Sequence, residues 1–86
     1  MPRLSAFYGI VIGMYFSDHP PPHFHARYGG YEVQIEIATG AVLRGWLPRR
    51  AAGLVEEWRL LHLAELEADW QLARSDRPLD TIDPLP

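Results

Sequence analysis

Three of the four histidines of this chain lie within residues 19–25, which read HPPPHFH. Imidazole is the side chain whose ordinary titration lies nearest neutral pH, and it is the commonest metal ligand. His23 and His25 are two positions apart, so both side chains project from the same face if this segment is a β-strand. We therefore predict that His19, His23 and His25 are the catalytic candidates of this sequence.

One interpretation of the cluster is acid–base catalysis without a cofactor. Two histidines on one face can serve as base and acid in phosphodiester transfer, and His19 would help to shape the site. Arginines on the same face would neutralise a phosphate, and a tryptophan would stack on a base. The site would then be nuclease-like, and the predicted substrate-binding residues are Arg27, Arg44 and Trp46.

A second interpretation is a divalent transition metal held by two histidines and one carboxylate. His23, His25 and Glu36 would form this set, which resembles the ligands of zinc and non-haem iron sites with an open position. An extended polyproline spacer would hold His19 roughly 12 Å from His23, at about 3.1 Å per residue. A bend in the loop or a cis proline would be required to bring His19 to the other two.

A third interpretation is structural. Histidine, arginine, glutamate and glutamine would form a solvated, charge-paired sheet face, with His19 capping the proline loop by a hydrogen bond. The protein would then be a non-enzymatic interaction module that binds a partner protein through its sheet edge, Trp46 and the C-terminal tail. His62 stands alone near a predicted helix junction, where packing or hydrogen bonding is the expected role.

Length and composition limit the kind of protein that carries these residues. The chain has 86 residues, of which 48% are hydrophobic, and this fits a single domain over residues 1–86 with one small core. A core of that size gains from burial against a second copy, as a homodimer, or against a partner protein. The absence of cysteine excludes disulfides and thiolate metal sites and fits a reducing compartment.

Charge and hydropathy exclude further classes. The net charge of -3 gives no global attraction to nucleic acid, and Arg49-Arg50 is the one adjacent basic pair. The apolar stretch from Ile10 to Phe16 is interrupted by Gly13 and is too short to span a bilayer. We therefore expect a soluble, cytoplasmic protein with no membrane contact.

The polarity pattern predicts about four antiparallel strands. Phe7–Phe16 alternates in polarity and forms the first strand, and residues 17–22 form a stiff loop because proline cannot donate to a ladder. The strands His23–Tyr28 and Tyr31–Ile37 are joined by Gly29-Gly30, a two-residue hairpin signal that fixes their register. The expected polar pairs are His23 with Glu36, His25 with Gln34, and Arg27 with Glu32; the apolar pairs are Phe24 with Ile35, Ala26 with Val33, and Tyr28 with Tyr31.

The fourth strand and two helices complete the predicted fold. A loop at residues 38–40 leads to a strand in which Arg44 faces Gln34. A helix begins at Leu47-Pro48, and a change of phase in the apolar stripe predicts a break near Leu61-His62. Residues 75–86 form an extended tail whose large apolar residues pack on the domain or on a partner. The expected fold class is α+β, a small antiparallel sheet with two C-terminal helices on one face.

Short motifs spread from Phe7 to Leu85 carry a resemblance that covers nearly the whole chain. They are Phe7-Tyr8-Gly9-Ile10, Asp18-His19, Pro21-Pro22-His23-Phe24-His25, Tyr28-Gly29, Leu47-Pro48-Arg49-Arg50-Ala51, Glu57-Trp58, His62, Glu65-Leu66, Asp69-Trp70 and Ile82-Asp83-Pro84-Leu85. Together they resemble a small bacterial family described only as a domain of unknown function, DUF4160. Asp69 departs from the family pattern, in which asparagine is expected at that position.

The resemblance implies a function that the residues alone do not. It implies a gene placed beside that of another small protein of unknown function, an arrangement like a toxin–antitoxin pair. A component of such a module would have a small cognate partner protein, and an RNA-directed activity is favoured over a metabolic one. The family motif matches His19, His23, Phe24, His25 and Tyr28, the segment that already stands out by composition.

Overall fold

The computed structural model describes residues 1–86, which form a five-stranded sheet and two helices. The elements are β1 (Arg3–Phe7), β2 (Ile10–Gly13), β3 (His23–Tyr28), β4 (Tyr31–Glu36), β5 (Val42–Gly45), α1 (Arg49–Leu61) and α2 (Leu63–Arg74). Every strand pairs antiparallel with its neighbour in the chain, in the order β1-β2-β3-β4-β5. The predicted α+β class, a sheet followed by two C-terminal helices, is confirmed.

The prediction of four strands is wrong by one, because the first predicted strand is broken by a turn. Tyr8 and Gly9 have φ angles of 49° and 79°, so the chain reverses there and β2 runs back along β1. Two successive left-handed residues are typical of a two-residue type I′ hairpin turn. The alternating segment Phe7–Phe16 therefore contains the last residue of β1, a turn, the whole of β2 and the start of a loop rather than one strand.

The β3–β4 hairpin has the predicted register at all of its pairs. His23 lies opposite Glu36, Phe24 opposite Ile35, and the remaining pairs follow in order to the turn. Gly29 has a φ of 57°, as the short turn requires. Because side chains alternate across a strand, one hairpin supplies the histidines to one face and Phe24 to the other.

β5 contains one residue more than the part of β4 that it pairs with. Arg44 lies opposite Gln34, as predicted, but the next pair along is Ile35 with Val42. Leu43 is therefore the extra residue of a β-bulge, which increases the local twist of the strand. The bulge separates Val42 and Arg44 onto opposite faces, since each shares the face of its partner on β4.

Gly45 allows the end of β5 to approach β4 closely. Its φ is +85°, and a Cβ atom built there would lie 2.1 Å from the carbonyl oxygen of Glu32. The N–H of Trp46 donates to that same oxygen at 3.2 Å, so Trp46 lies opposite Glu32. A side chain at position 45 would break this contact.

Both helices pack through apolar residues, and His62 separates them. His62 has φ −127° and ψ 28°, which ends α1 and begins α2, so the predicted break is confirmed. Trp58 is fully buried, and its ring centroid lies 5.6 Å from that of Phe7 and 5.9 Å from that of Phe24. Trp58 of α1 thus packs on the apolar face of the sheet, and Leu66 and Trp70 of α2 belong to the same core cluster. Neither has the length and hydropathy needed to cross a bilayer.

The segment 75–86 packs back on the domain beside β1. The N–H of Ile82 donates to the carbonyl oxygen of Leu4 at 2.8 Å, and the indole N–H of Trp58 donates to the carbonyl oxygen of Asp83 at 2.8 Å. Ile82 is buried, and two further tail residues are partly buried against the core. These two are Leu79 and Leu85. The tail is thereby a covering for the β1 side of the sheet.

Candidate functional site

β3 holds His23 and His25 beneath other parts of the chain. Only 1% of His23 and 4% of His25 is exposed, so the interpretation of this face as a solvated surface does not hold at these positions. The ring of Trp70 in α2 lies 5.3 Å from that of His23, and the ring of Tyr15 meets His25 edge-on at 4.8 Å. A large substrate therefore has no direct path to either imidazole.

Asp18 is the carboxylate at the centre of the histidine cluster. Its Oδ2 lies 2.9 Å from Nε2 of His23 and 3.3 Å from Nε2 of His25. Its Oδ1 lies 2.8 Å from Nδ1 of His19 and accepts the backbone N–H of the same residue at 2.9 Å. One carboxylate thus contacts all three imidazoles of the segment. We refer to Asp18, His23 and His25 as the triad.

The hydrogen position on His23 follows from its second ring nitrogen. Nδ1 lies 2.8 Å from the carbonyl oxygen of Pro21. A carbonyl oxygen only accepts, so Nδ1 carries a hydrogen and donates it. In a neutral ring Nε2 then has no hydrogen and directs a lone pair at Oδ2 of Asp18, 2.9 Å away. These two acceptors repel unless Nε2 gains a proton or a cation lies between them.

The surroundings of Asp18 favour its ionised form. Burial raises the pKa of Asp18, but hydrogen bonds from the His25 side chain and the His19 backbone, together with the electrostatic interaction with His23, lower it by more. The net result is a pKa below the ordinary value for aspartate. Hydrogen bonds to the charged form of an acid have this effect in general. Asp18 is therefore a negatively charged carboxylate, which favours a cation or a protonated imidazole beside it.

An ionised carboxylate also lies behind the outer nitrogen of His25. Nδ1 of His25 is buried without a hydrogen-bond partner and lies 3.6 Å from Oε2 of Glu32. The hydrogen bond from Arg27 lowers the pKa of Glu32, and the same guanidinium donates to the hydroxyl of Tyr15 at 3.3 Å. Tyr15 in turn packs on His25. Glu32, Arg27 and Tyr15 are thus connected to one another and contact the triad through His25.

His19 joins the other two histidines. The Pro20-Pro21 peptide is cis, and the ring of His19 lies 5.5 Å from that of His23. The extended arrangement with a long spacer is not adopted. The side chain of His19 is 76% exposed and that of Asp18 is 16% exposed. The cluster therefore meets solvent on the side of Asp18 and His19.

A family comparison covers the whole of this cluster. The family described as a domain of unknown function, DUF4160, matches residues 9–71 of the 86-residue chain. The chain belongs to the DUF4160 family. No curated protein and no solved structure matches it. The matched DUF4160 range contains Asp18 and all four histidines, and the family description gives none of them a role.

Of the remaining predicted site residues of this DUF4160 chain, three lie apart from the triad. Glu36 faces His23 across the ladder, but its carboxylate accepts a hydrogen bond from Thr39. Trp46 is 61% exposed, and its ring lies 5.1 Å from that of Tyr31. Arg44 is exposed on β5. Arg27 alone among the three predicted substrate-binding residues reaches the cluster, through its contacts with Glu32 and Tyr15.

The carboxylate of the cluster is the residue that sequence reasoning missed. Glu36 was the expected ligand because the hairpin register places it opposite His23, whereas the triad takes its carboxylate from Asp18. Asp18 lies in a loop, and no periodicity predicts the path of a loop. A signal was present, however, since Asp18-His19 is one of the motifs that carry the resemblance to DUF4160.

Proposed function

We propose that Asp18, His23 and His25 bind one divalent transition metal ion and that this DUF4160 chain is a metal-dependent protein. The observation that carries the proposal is the convergence of three ligand atoms, one from each side chain, all within 4.8 Å of one another. Two imidazoles and one carboxylate are a ligand set for zinc, manganese and non-haem iron. The chain has no cysteine, so thiolate ligands play no part.

The distances support a shared ion. Ligand atoms about 2.0–2.2 Å from one metal lie about 3.0–3.5 Å from one another in tetrahedral or octahedral geometry. The two separations from Oδ2 of Asp18, 2.9 Å to His23 and 3.3 Å to His25, are close to that range. A cation between these atoms would also remove the repulsion between the lone pair of His23 and the carboxylate.

The outer nitrogen of His23 supports the same proposal, and that of His25 lies near a carboxylate but beyond hydrogen-bond distance from it. A metal-bound histidine almost always directs its other ring nitrogen at a carbonyl or carboxylate, which fixes the tautomer and the ring orientation. His23 donates Nδ1–H to the carbonyl oxygen of Pro21 at 2.8 Å. Nδ1 of His25 lies 3.6 Å from Oε2 of Glu32, which Arg27 holds in place. In both rings it is therefore Nε2 that faces Oδ2 of Asp18, where the metal ion would bind.

Each residue of the cluster then has a distinct task. Trp70 and Tyr15 hold the two imidazoles and exclude water from the protein side. Three protein ligands leave open positions on the solvent side, where a water or a substrate atom binds. A metal ion there would act as a Lewis acid and lower the pKa of bound water. His19, held by the other oxygen of Asp18, is placed to take or return a proton at that side.

Calorimetric titration of metal-stripped protein with zinc and manganese chlorides at pH 7 tests this proposal. We expect one equivalent of at least one metal to bind, and the His25→Gln substitution to weaken its affinity by at least about 100-fold, because a ligand and not only its support is lost. Asp18→Asn should act in the same direction and serves where His25→Gln perturbs folding, as checked by circular dichroism.

Two control variants separate the triad from other histidine–carboxylate pairs. His62→Gln removes a histidine that contacts Glu65 outside the cluster, and Glu36→Gln removes the carboxylate that the sequence alone suggested. Both should bind metal as the wild type does. Binding of no metal, or equal weakening by His62→Gln and His25→Gln, would contradict the proposal.

The second candidate function is RNA-directed acid–base catalysis by a component of a toxin–antitoxin-like module. The exposure of His19 favours it, because an imidazole oriented by a carboxylate and open to solvent suits general acid–base work. The accessible role then belongs to His19, since His23 and His25 are buried. Arg44 and Trp46, both exposed, would contact the RNA away from the cluster.

Incubation with bacterial total RNA, with and without EDTA, tests this second candidate. Cleavage that survives EDTA and falls by about 100-fold or more in His19→Gln would support metal-free acid–base chemistry. His62→Gln is the matched control and should cleave as the wild type does. Cleavage abolished by EDTA would favour the metal proposal, and the absence of cleavage under both conditions would count against an RNA-directed role.

A further inference from the structure

The sheet has two outer strands, and the chain covers only one of them. Beside β1, the backbone N–H of the tail residue Ile82 donates a hydrogen bond to the carbonyl oxygen of Leu4. The hydroxyl of Tyr8 donates to the carbonyl oxygen of Pro86 at 2.8 Å. β5 has β4 on one side and no strand on the other. An open outer strand presents unpaired backbone N–H and C=O groups, and natural proteins usually cover or charge such an edge.

Apart from its short length, the bulge at Leu43 and the charge of Arg44, β5 has none of the features that usually protect an edge. All residues of Val42–Gly45 are exposed, and the strand contains no lysine and no proline. The exposed fraction is 60% for Val42 and 42% for Leu43. Trp46, immediately after the strand, is exposed as well and packs against the half-exposed Tyr31. We refer to Val42, Leu43, Arg44 and Trp46 as the β5 edge.

The sequence that contains β5 is locally basic, although the chain as a whole is acidic. Residues 37–55 contain three arginines and no acidic residue, although the net charge of the protein is -3. The arginines are Arg44, Arg49 and Arg50, and all three are exposed. The arginines that form ion pairs lie elsewhere, at positions 27 and 59. None of the three forms an ion pair, and the acidic residues of the neighbouring strand, Glu32 and Glu36, bond instead to Arg27 and Thr39.

We propose that the β5 edge binds an extended acidic segment of a partner protein, which adds a sixth strand to the sheet. Backbone hydrogen bonds to the open edge would supply affinity, and side chains at alternate positions would supply specificity. Arg44 and Val42 lie on opposite faces, because they pair with Gln34 and Ile35 respectively. The bound strand would therefore alternate acidic residues, on the side of Arg44, with apolar residues on the side of Val42.

Other occupants fit this edge less well. A second copy joined edge to edge would bring two locally basic segments together, each with Arg44 on its strand, and like charges across strands are destabilising. RNA would suit the arginines and Trp46. It would leave the aliphatic Val42 and Leu43 and the unpaired backbone groups without partners. An extended acidic strand would pair with the positive charge, cover the apolar side chains and hydrogen-bond to the open backbone groups.

The test is a titration of the uniformly ¹⁵N-labelled full-length protein with a short capped peptide of alternating valine and glutamate, followed by amide chemical shifts. We expect saturable shifts at residues 42–46 and none at Arg3–Phe7, where the tail covers the sheet. Arg44→Glu should weaken binding at least about tenfold, the loss of one favourable charge pair and the gain of one repulsive pair. Arg77→Glu, at an exposed arginine of the tail, should leave binding unchanged.

Two control peptides and two further measurements complete the test. A peptide with lysine in place of glutamate, and one with a central proline, should both fail to shift residues 42–46. Absence of shifts with the glutamate peptide, equal binding of the lysine peptide, or binding unaffected by Arg44→Glu would overturn the proposal. A single-stranded RNA that shifts these amides when the peptide does not would assign the edge to nucleic acid. A dimer in analytical ultracentrifugation that Arg44→Glu dissociates would assign it to a second copy.

Discussion

Replacing Asp69 with asparagine should stabilise the protein at neutral pH. Asp69 is 1% exposed, its Oδ1 accepts the backbone N–H of Asp80 at 2.8 Å, and its Oδ2 is buried without a partner. Burial is the main reason that the pKa of Asp69 lies above its ordinary value, and the nearby charges of Asp80 and Glu65 act in the same direction. Asparagine keeps an oxygen for the Asp80 amide and removes the buried charge.

The pH dependence of this gain follows from the direction of the pKa change. A raised pKa means that the folded protein holds the Asp69 proton to higher pH than the unfolded chain does. The stability of the wild type therefore falls as pH rises between the unfolded and folded pKa values and is constant above them. The variant has no such loss, so its advantage is absent below the unfolded pKa of about 3.9 and complete above the folded pKa.

The size of the gain follows from the burial of Oδ2. A buried polar group without a partner costs about 1–3 kcal/mol. The new amide nitrogen also lacks a partner, so we expect the lower part of that range, about 1–2 kcal/mol at pH 7. For a domain of this length each kcal/mol raises Tm by about 4–8 °C. The asparagine that the DUF4160 pattern leads one to expect at this position agrees with the direction of the effect.

Urea unfolding of the wild type and Asp69→Asn, followed by circular dichroism at several pH values between 3 and 8, measures this difference directly. Asp83→Asn is the matched control, because it makes the same chemical change at an exposed side chain of the tail. A variant no more stable than the wild type at pH 7 would refute the reasoning. So would a gain of the same size at pH 3 and pH 7, since a charge effect must vanish when both states are protonated.

Three further substitutions probe the framework of the fold by the same unfolding measurement. Gly45→Ala should destabilise the folded protein by about 2 kcal/mol or more, because the φ of residue 45 is +85° and the new Cβ would meet the Glu32 carbonyl oxygen. An unchanged urea midpoint would contradict the close approach of Gly45 to Glu32. Gly53→Ala should stabilise the folded protein by about 0.5–1 kcal/mol, since this helical position has open space around it. A loss of stability would show that the position has no room for a methyl group. Arg59→Met should destabilise by about 2–3 kcal/mol, because it leaves the buried Ile37 carbonyl oxygen without its donor; a neutral result would show that water replaces the guanidinium.

Turn residues and hydrophobic periodicity were sufficient to predict the hairpin that carries the histidines and the break between the helices. Gly29-Gly30 determines the register of β3 and β4, and a register error of one residue would have placed charged side chains in the core. The out-of-phase apolar stripes of α1 and α2 likewise marked the break at His62 without a glycine or proline. These features depend on residues close in sequence, which is why the pattern predicts them.

Features that depend on distant parts of the chain were not predictable in the same way. The turn at Tyr8 and Gly9 interrupts an alternation that continues through it, so the polarity pattern alone hides the boundary between β1 and β2. The position of Asp18 depends on a proline loop held by α2, where the N–H of Ser17 donates to the carbonyl oxygen of Ala73 at 3.1 Å. The burial of His23 depends on Trp70, which is 47 positions further along the chain. Only tertiary packing brings these groups together.

The most direct test of the metal proposal is an anomalous difference map from a crystal grown with zinc, collected on both sides of the zinc absorption edge. We predict one peak among Oδ2 of Asp18 and Nε2 of His23 and His25, about 2.0–2.2 Å from each of the three atoms. The contradictory result is a map with no peak at the triad while both imidazoles remain in contact with the carboxylate. Asp18 would then hold the histidines by hydrogen bonds alone, and the cluster would be a structural element of the fold.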